Sequence, residues 1–220
     1  MRLTLVAALL LGIAGASAAQ QAGVPLAIIT ERTLPKAILA TNYETKLVAT
    51  GGLPPRTWEV IDGRLPPGLM LDPVTGVISG TPTALGQYRF AVEVSDSDDP
   101  AESRSREFTL SVVSALVVEW KSPPAVTPDG IAGSIKLANQ TPTDIELTMI
   151  VVAVNEIGKA FVLGYQQFTF PGQNTIPEIP FGSALPQGKY IVHADVIGEV
   201  PGRNSIYRAR LQTSEPLTTH

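Results

Sequence analysis

"GRLPPGLMLDPVTGVISGTP", residues Gly63 to Pro82, holds four prolines and four glycines, yet between them sit Leu65, Leu69, Met70, Leu71, Val77 and Ile78. A flexible linker lacks such apolar content, so this stretch is read as compact folded chain. Pro66-Pro67 favours an extended entry, and Gly68 permits the positive φ needed where the chain bends back. Leu69-Met70-Leu71 then forms a short strand. In Asp72-Pro73-Val74-Thr75-Gly76 the Asp72 carboxylate accepts a backbone N–H two residues on. Pro73 presets φ for a turn, and Gly76 suits a left-handed position. Val77-Ile78-Ser79 returns as the partner strand. The expected core residues of this hairpin are Leu65, Leu69, Leu71 and Ile78, each worth roughly 1.5–3 kcal/mol once buried.

Working outward, alternation of period 2 recurs. Tyr88, Phe90, Val92 and Val94 share one face of "QYRFAVEVSDS". Phe108, Leu110 and Val112 are followed by Leu116, Val118 and Trp120, and Ile135 pairs in facing with Leu137. "DIELTMIVVAV" is apolar on both faces from Met149 to Val154, which predicts a central strand covered on two sides. "KAFVLGYQQFTF", "KYIVHADVIGEV" and "SIYRARLQ" read as further strands. Turn signals separate these runs every 8 to 15 residues, the spacing of an all-β sandwich. "WKSPPAVTPDG", Trp120 to Gly130, carries four prolines without alternation and is read as a spacer between two sets of strands. The expected organisation is residues 1–19 as a leader, 20–114 as one sandwich and 115–220 as a second, with the boundary near Ser114 to Leu116.

The segment "ATGGLPPRTWEV…GRLPPGLMLDPVTGVISGTPTALGQYRFAVEVSDS" resembles the "Putative Ig" repeat family of bacterial surface proteins, related to cadherin-like, dystroglycan-type domains. The likeness rests on Trp58, Leu65, Pro66, Gly68, Leu69, Leu71, Thr75, Gly76, Ile78, Gly80, Thr81, Pro82, Gly86, Tyr88, Phe90, Val92, Val94 and Asp96, and covers about residues 25–113. It implies a cadherin-like or Ig-like sandwich there. The second half, through "GSIKLANQTPTDIELTMIVVAVNE" and the Leu185-Pro186-x-Gly188-x-Tyr190 run, is similar only to Ig-like modules in general.

Composition bounds the function. Hydrophobic residues make up 44% of the 220 and charged residues 16%, which favours a buried core over disorder. The opening "MRLTLVAALLLGIAGASAAQQAG" has the layout of a secretory signal peptide: Arg2, an apolar run from Leu3 to Ile13, and an Ala16-Ser17-Ala18 cleavage pattern. The expected location is therefore secreted, extracellular or periplasmic. The chain has no cysteine, which excludes disulfides, thiolate metal sites and a cysteine nucleophile. Its net charge of −4 and lack of a basic run argue against nucleic acid as a partner.

Candidate chemistry is sparse. Asp96, Asp98 and Asp99, with Glu93 or Glu102, offer carboxylates to Ca²⁺, as loops of cadherin-like domains do, although no cadherin-type Asp-x-Asn-Asp-Asn run accompanies them. The same loop also makes a good solvated turn. His193 and Asp195 share a strand face, but no nucleophile with a nearby base stands out, so no catalytic residue and no enzyme activity are expected. Trp58 is expected in the core, and Trp120 in the core or over the junction. Arg208 and Arg210 either meet an acidic partner or guard an edge strand. Asn139-Gln140-Thr141 fits a glycosylation pattern. The expected function is a non-catalytic binding, adhesion or structural module meeting a protein or glycan at the cell envelope. The alternatives are a Ca²⁺-dependent adhesion module and a carbohydrate-binding accessory domain.

Overall fold

The computed structural model describes residues 24–203 and 205–220; the expected leader, residues 1–19, lies outside them. Every regular element among the described residues is a strand. The first nine are β1 (Ala27–Ile28), β2 (Ala37–Ile38), β3 (Tyr43–Lys46), β4 (Ala49–Thr50), β5 (Thr57–Gly63), β6 (Leu69–Leu71), β7 (Val77–Gly80), β8 (Gly86–Ser95) and β9 (Ser103–Val113). They form sheets of order β2-β9-β8-β5, β3-β7-β6 and β1-β4, antiparallel except where β2 runs parallel to β9. The remaining eight are β10 (Leu116–Thr127), β11 (Gly130–Asn139), β12 (Ile145–Asn155), β13 (Ala160–Phe170), β14 (Asn174–Ala184), β15 (Gly188–Glu199), β16 (Ile206–Gln212) and β17 (Leu217–Thr219). These make a three-stranded sheet, β10-β11-β14, and a five-stranded one, β13-β12-β15-β16 with β17 beside β15. No helix among the described residues is long and apolar enough to cross a membrane.

The hairpin read from Gly63–Pro82 is present as β6 and β7, with Leu71 opposite Ile78. Asp72 Oδ1 accepts the N–H groups of Val74 at 2.9 Å and Thr75 at 2.8 Å, and Gly76 is left-handed at φ 71°. Gly68, at φ 91°, lets its carbonyl accept the Thr81 N–H at 3.1 Å, which ties the strand exit back to its entry. Leu69 and Ile78 are buried, and Leu65 and Leu71 pack partly buried against the same cluster.

Two apolar clusters result from the alternation. One gathers Trp58, Ile78, Phe90, Val92, Val94, Phe108, Leu110 and Val112 with residues from the short strands. The other gathers Leu116, Ile131, Ile135, Leu137, the inward row Ile145 to Ala153, and Tyr190, Val192, Ala194 and Val196. The clusters part between Val112 and Leu116, where β9 ends and β10 begins. Both repeat one local device. Tyr88, two residues after Gly86, donates its hydroxyl to Ala84 O at 3.3 Å, and Tyr190, two after Gly188, donates to Pro186 O at 3.0 Å. A Cβ at either glycine would touch that ring, at 3.5 Å and 3.4 Å.

Two expectations need correction, and one strand went unread. Trp120 to Gly130 is no spacer. β10 runs through Pro123-Pro124 as an edge strand, taking up the prolines at irregularities after Trp120 and Ser122. Trp120 packs on the second cluster, 5.8 Å from the Phe181 ring, in line with its expected core packing. β12 is central, between β13 and β15, but only its inward row is buried. Ile150 on the outer row is 36% exposed, because nothing among the described residues covers that face. β14 went unread because Pro177 and Pro180 interrupt it; it tolerates them because it pairs on one side only, with β11.

Candidate functional site

The acidic loop follows β8 and precedes β9, at the end of the first sheet where β9 starts. β9 then runs the length of that sheet toward the chain's second half, so the loop lies at the pole away from β10. Asp96 is buried, and its carboxylate faces inward onto backbone: it accepts N–H groups of Leu53 at 2.9 Å, Glu102 at 2.7 Å and Asp98 at 3.3 Å. These bonds, that from Leu53 foremost, hold its carboxyl below the usual carboxylate range. Glu102 Oε2 accepts the Leu26 N–H at 3.2 Å, and Asp98 Oδ1 accepts that of Asp99 at 2.9 Å. Asp96, Asp98 and Glu102 border one open cleft of about 560 Å³, and Asp99 is not among its walls. No group of three or more acidic or histidine side chains is arranged to hold a metal among the described residues. The loop thus uses Asp96 chiefly as a fastener between the 50–53 turn and the start of β9.

His193 and Asp195 share the outer face of β15, as their spacing requires. The β15–β16 register sets Asp195 opposite Arg210 and Ile197 opposite Arg208. Arg210 grips Asp195 with two bonds, Nε to Oδ1 at 2.8 Å and the second to Oδ2 at 3.0 Å, and Arg208 adds 2.9 Å and 3.2 Å contacts to Oδ1. The guanidinium of Arg210, ahead of that of Arg208, keeps the Asp195 carboxyl low. This carboxylate is committed to arginine rather than to orienting His193, so a His–Asp acid–base pair is not built here.

Asn139 is the polar residue that sequence reading undervalued. It is only 1% exposed. Its amide donates to the carbonyls of Thr143, Phe170 and Pro171 at 3.0 to 3.1 Å, and its Oδ1 accepts the Thr141 N–H at 3.0 Å and hydroxyl at 2.7 Å. Asn139 therefore pins the β11–β12 turn to the end of β13, and its burial removes it as a glycan acceptor. The polar signal was visible; that its partners lie 31 and 32 residues away was not.

What remains open is surface. The outer face of the five-stranded sheet carries Ile150 beside Tyr165 and Val152 beside Val162, with Tyr165 57% and Val162 60% exposed. Asp195 and His193 continue the same two rows on the other side of β12, opposite Ile150 and Val152. An apolar strip is thereby bordered by the charged Asp195–Arg208–Arg210 group.

Residues 26–113 match the family described as "Putative Ig domain". No curated protein matches the chain. Among solved structures, mouse cadherin-23 repeats EC22-24 share 16% identity, covering 89% of this chain and 67% of that one, at a TM-score of 0.36. Human CDH23 repeats EC21-23 share 15% over 86% of this chain and 63% of theirs, also at 0.36. A structure titled "putative alpha-galactosidase/melibiase" from Bacteroides fragilis shares 22% over 40% of this chain at 0.35, and the chain spans 17% of its length. The likeness to the family described as "Putative Ig domain" is confined to residues 26–113, 88 of the 220 residues.

Proposed function

We propose that the chain is a non-catalytic binding module working outside the cytoplasm, which engages a protein of the cell envelope through the outer face of the five-stranded sheet. The observation that carries this reading is the apolar strip of Ile150, Val152, Val162 and Tyr165 left bare beside a charged border. Contiguous exposed apolar side chains of this kind mark interaction surfaces. The well-placed polar groups, Asp96, Asn139 and Asp195, are spent on the fold itself, which leaves surface rather than chemistry to offer. The leader-like opening agrees with an extracytoplasmic location.

The test is capture from the native envelope fraction on immobilised wild-type chain and on Ile150→Lys/Val162→Lys. A protein retained by the wild type and lost by the variant supports the reading. Equal retention by both refutes this face. Retention of glycans instead, displaced by free sugar, favours the carbohydrate-binding alternative.

A further inference from the structure

An edge strand presents unpaired N–H and C=O groups to any other strand, and proteins blunt such edges with charge, proline or bulges. The edge strands of four or more residues among the described residues divide sharply by this criterion. β3 carries Glu44 and Lys46, and β5 carries Glu59 and Asp62. β10 has Glu119, Lys121 and two prolines, β14 has Pro177, Glu178 and Pro180, and β16 has Arg208 and Arg210. β13 alone, eleven residues from Ala160 to Phe170, has neither a charge nor a proline. It pairs with β12 only. Beside it lies an open groove of about 550 Å³ with mixed walls, Gln166, Gln167 and Phe168 from β13 and Ile176, Glu178, Ile179 and Pro180 from β14.

We propose that the chain self-associates through β13, two copies joining edge to edge as antiparallel strands, so that their five-stranded sheets run on as one. A two-fold axis brings each charge on such an edge near its own copy. At β16, pairing about Ala209 would set Arg208 against Arg210 of the partner subunit. β13 has no charge to repel its twin.

The register follows from the pleat. Opposed residues of an antiparallel pair point to the same face, so about a two-fold axis their numbers add to an even sum. The irregularity at Leu163 confines regular pairing to Gly164–Phe170, whose midpoint is Gln167. Gln167 then faces Gln167 of the partner subunit, and Tyr165 lies across from Thr169 of the partner subunit. Aromatic–β-branched cross-strand pairs are favourable. This goes beyond the binding reading: self-association needs no envelope ligand, and a monomer retains the Ile150–Val152 rows.

Sedimentation velocity on the full chain, from about 1 µM to about 500 µM, tests it with wild type, Gln167→Lys, Gln167→Glu and an equimolar mixture of the two variants. Wild type is expected to shift from monomer to dimer with concentration. Each variant alone, with like charges across the axis, is expected to weaken the dimer by about tenfold or more. The mixture restores it, since Lys then faces Glu. Wild type that stays monomeric throughout overturns the proposal, as do variants that dimerise like wild type or a folded mixture that fails to recover. The wild-type series decides by itself if either variant does not fold. Envelope capture by monomeric wild type would leave the binding reading standing while this one fell.

Discussion

Truncating Asn139 to Ala should be among the most damaging single changes in the second half of the chain. The side chain serves five partners from an almost sealed position. Thr141 keeps one hydroxyl bond, to Thr143 O at 2.9 Å, but its buried N–H and the Phe170 carbonyl lose their side-chain partner. An orphaned buried polar group costs about 1–3 kcal/mol, so two of them set a loss of about 2–6 kcal/mol. In a unit of this size that lowers Tm by roughly 10 °C or more. Urea unfolding followed by Trp120 emission in a Trp58→Phe background measures it, because Trp120 sits on the affected cluster. Asn139→Asp separates hydrogen bonding from shape. It keeps the volume but turns a carboxylate toward three carbonyl oxygens, which raises its folded pKa above the unfolded value of about 3.9. The pH-dependent part of its penalty is then absent below about pH 4 and grows as pH rises from there, whereas the Ala penalty stays flat. An Ala variant within about 1 kcal/mol of its parent would refute the reasoning.

Three further expectations concern the other polar contacts and one turn. Gly76→Ala would place a Cβ 2.8 Å from Trp58 Nε1 at a backbone φ of +71°, so the variant should unfold at lower urea with altered Trp58 emission; an unchanged midpoint contradicts the turn assignment. Asp195, its folded pKa held low by arginine, contributes stability above the unfolded carboxylate value of about 3.9 that is lost as pH falls through its folded value. Carboxyl NMR titration should show Arg210→Gln raising that pKa more than Arg208→Gln, and the reverse order would count against the bidentate geometry. Asp96→Ala should lower Tm equally in chelator and in Ca²⁺, because backbone N–H groups hold its carboxylate. A Ca²⁺-induced rise in wild-type Tm that disappears in the variant would instead make Asp96 a metal ligand.

Local rules carried the sequence reading a long way. Period-2 alternation announces the inward rows of β8, β9, β12 and β15, because a pleated strand with one buried face allows little else. The Asp72–Gly76 turn lies within a few residues of its partners, so its chemistry was legible from the chain alone; the Tyr88 and Tyr190 hydroxyl bonds, equally local, went unread. Proline misled the reading twice. It signals a break where a strand needs N–H groups on both sides, but β10 and β14 are edges and need them on one.

The sequence alone therefore determined the strands that alternate without proline, the Asp72–Gly76 turn and the compositional class, since each depends on neighbours along the chain. Only the tertiary structure decided which strands became edges, which face of β12 stayed bare, and that Asp96, Asn139 and Asp195 are fasteners. Those outcomes depend on register between segments tens of residues apart, and one shared polar alphabet serves turn, ligand and ion pair alike until that register is set.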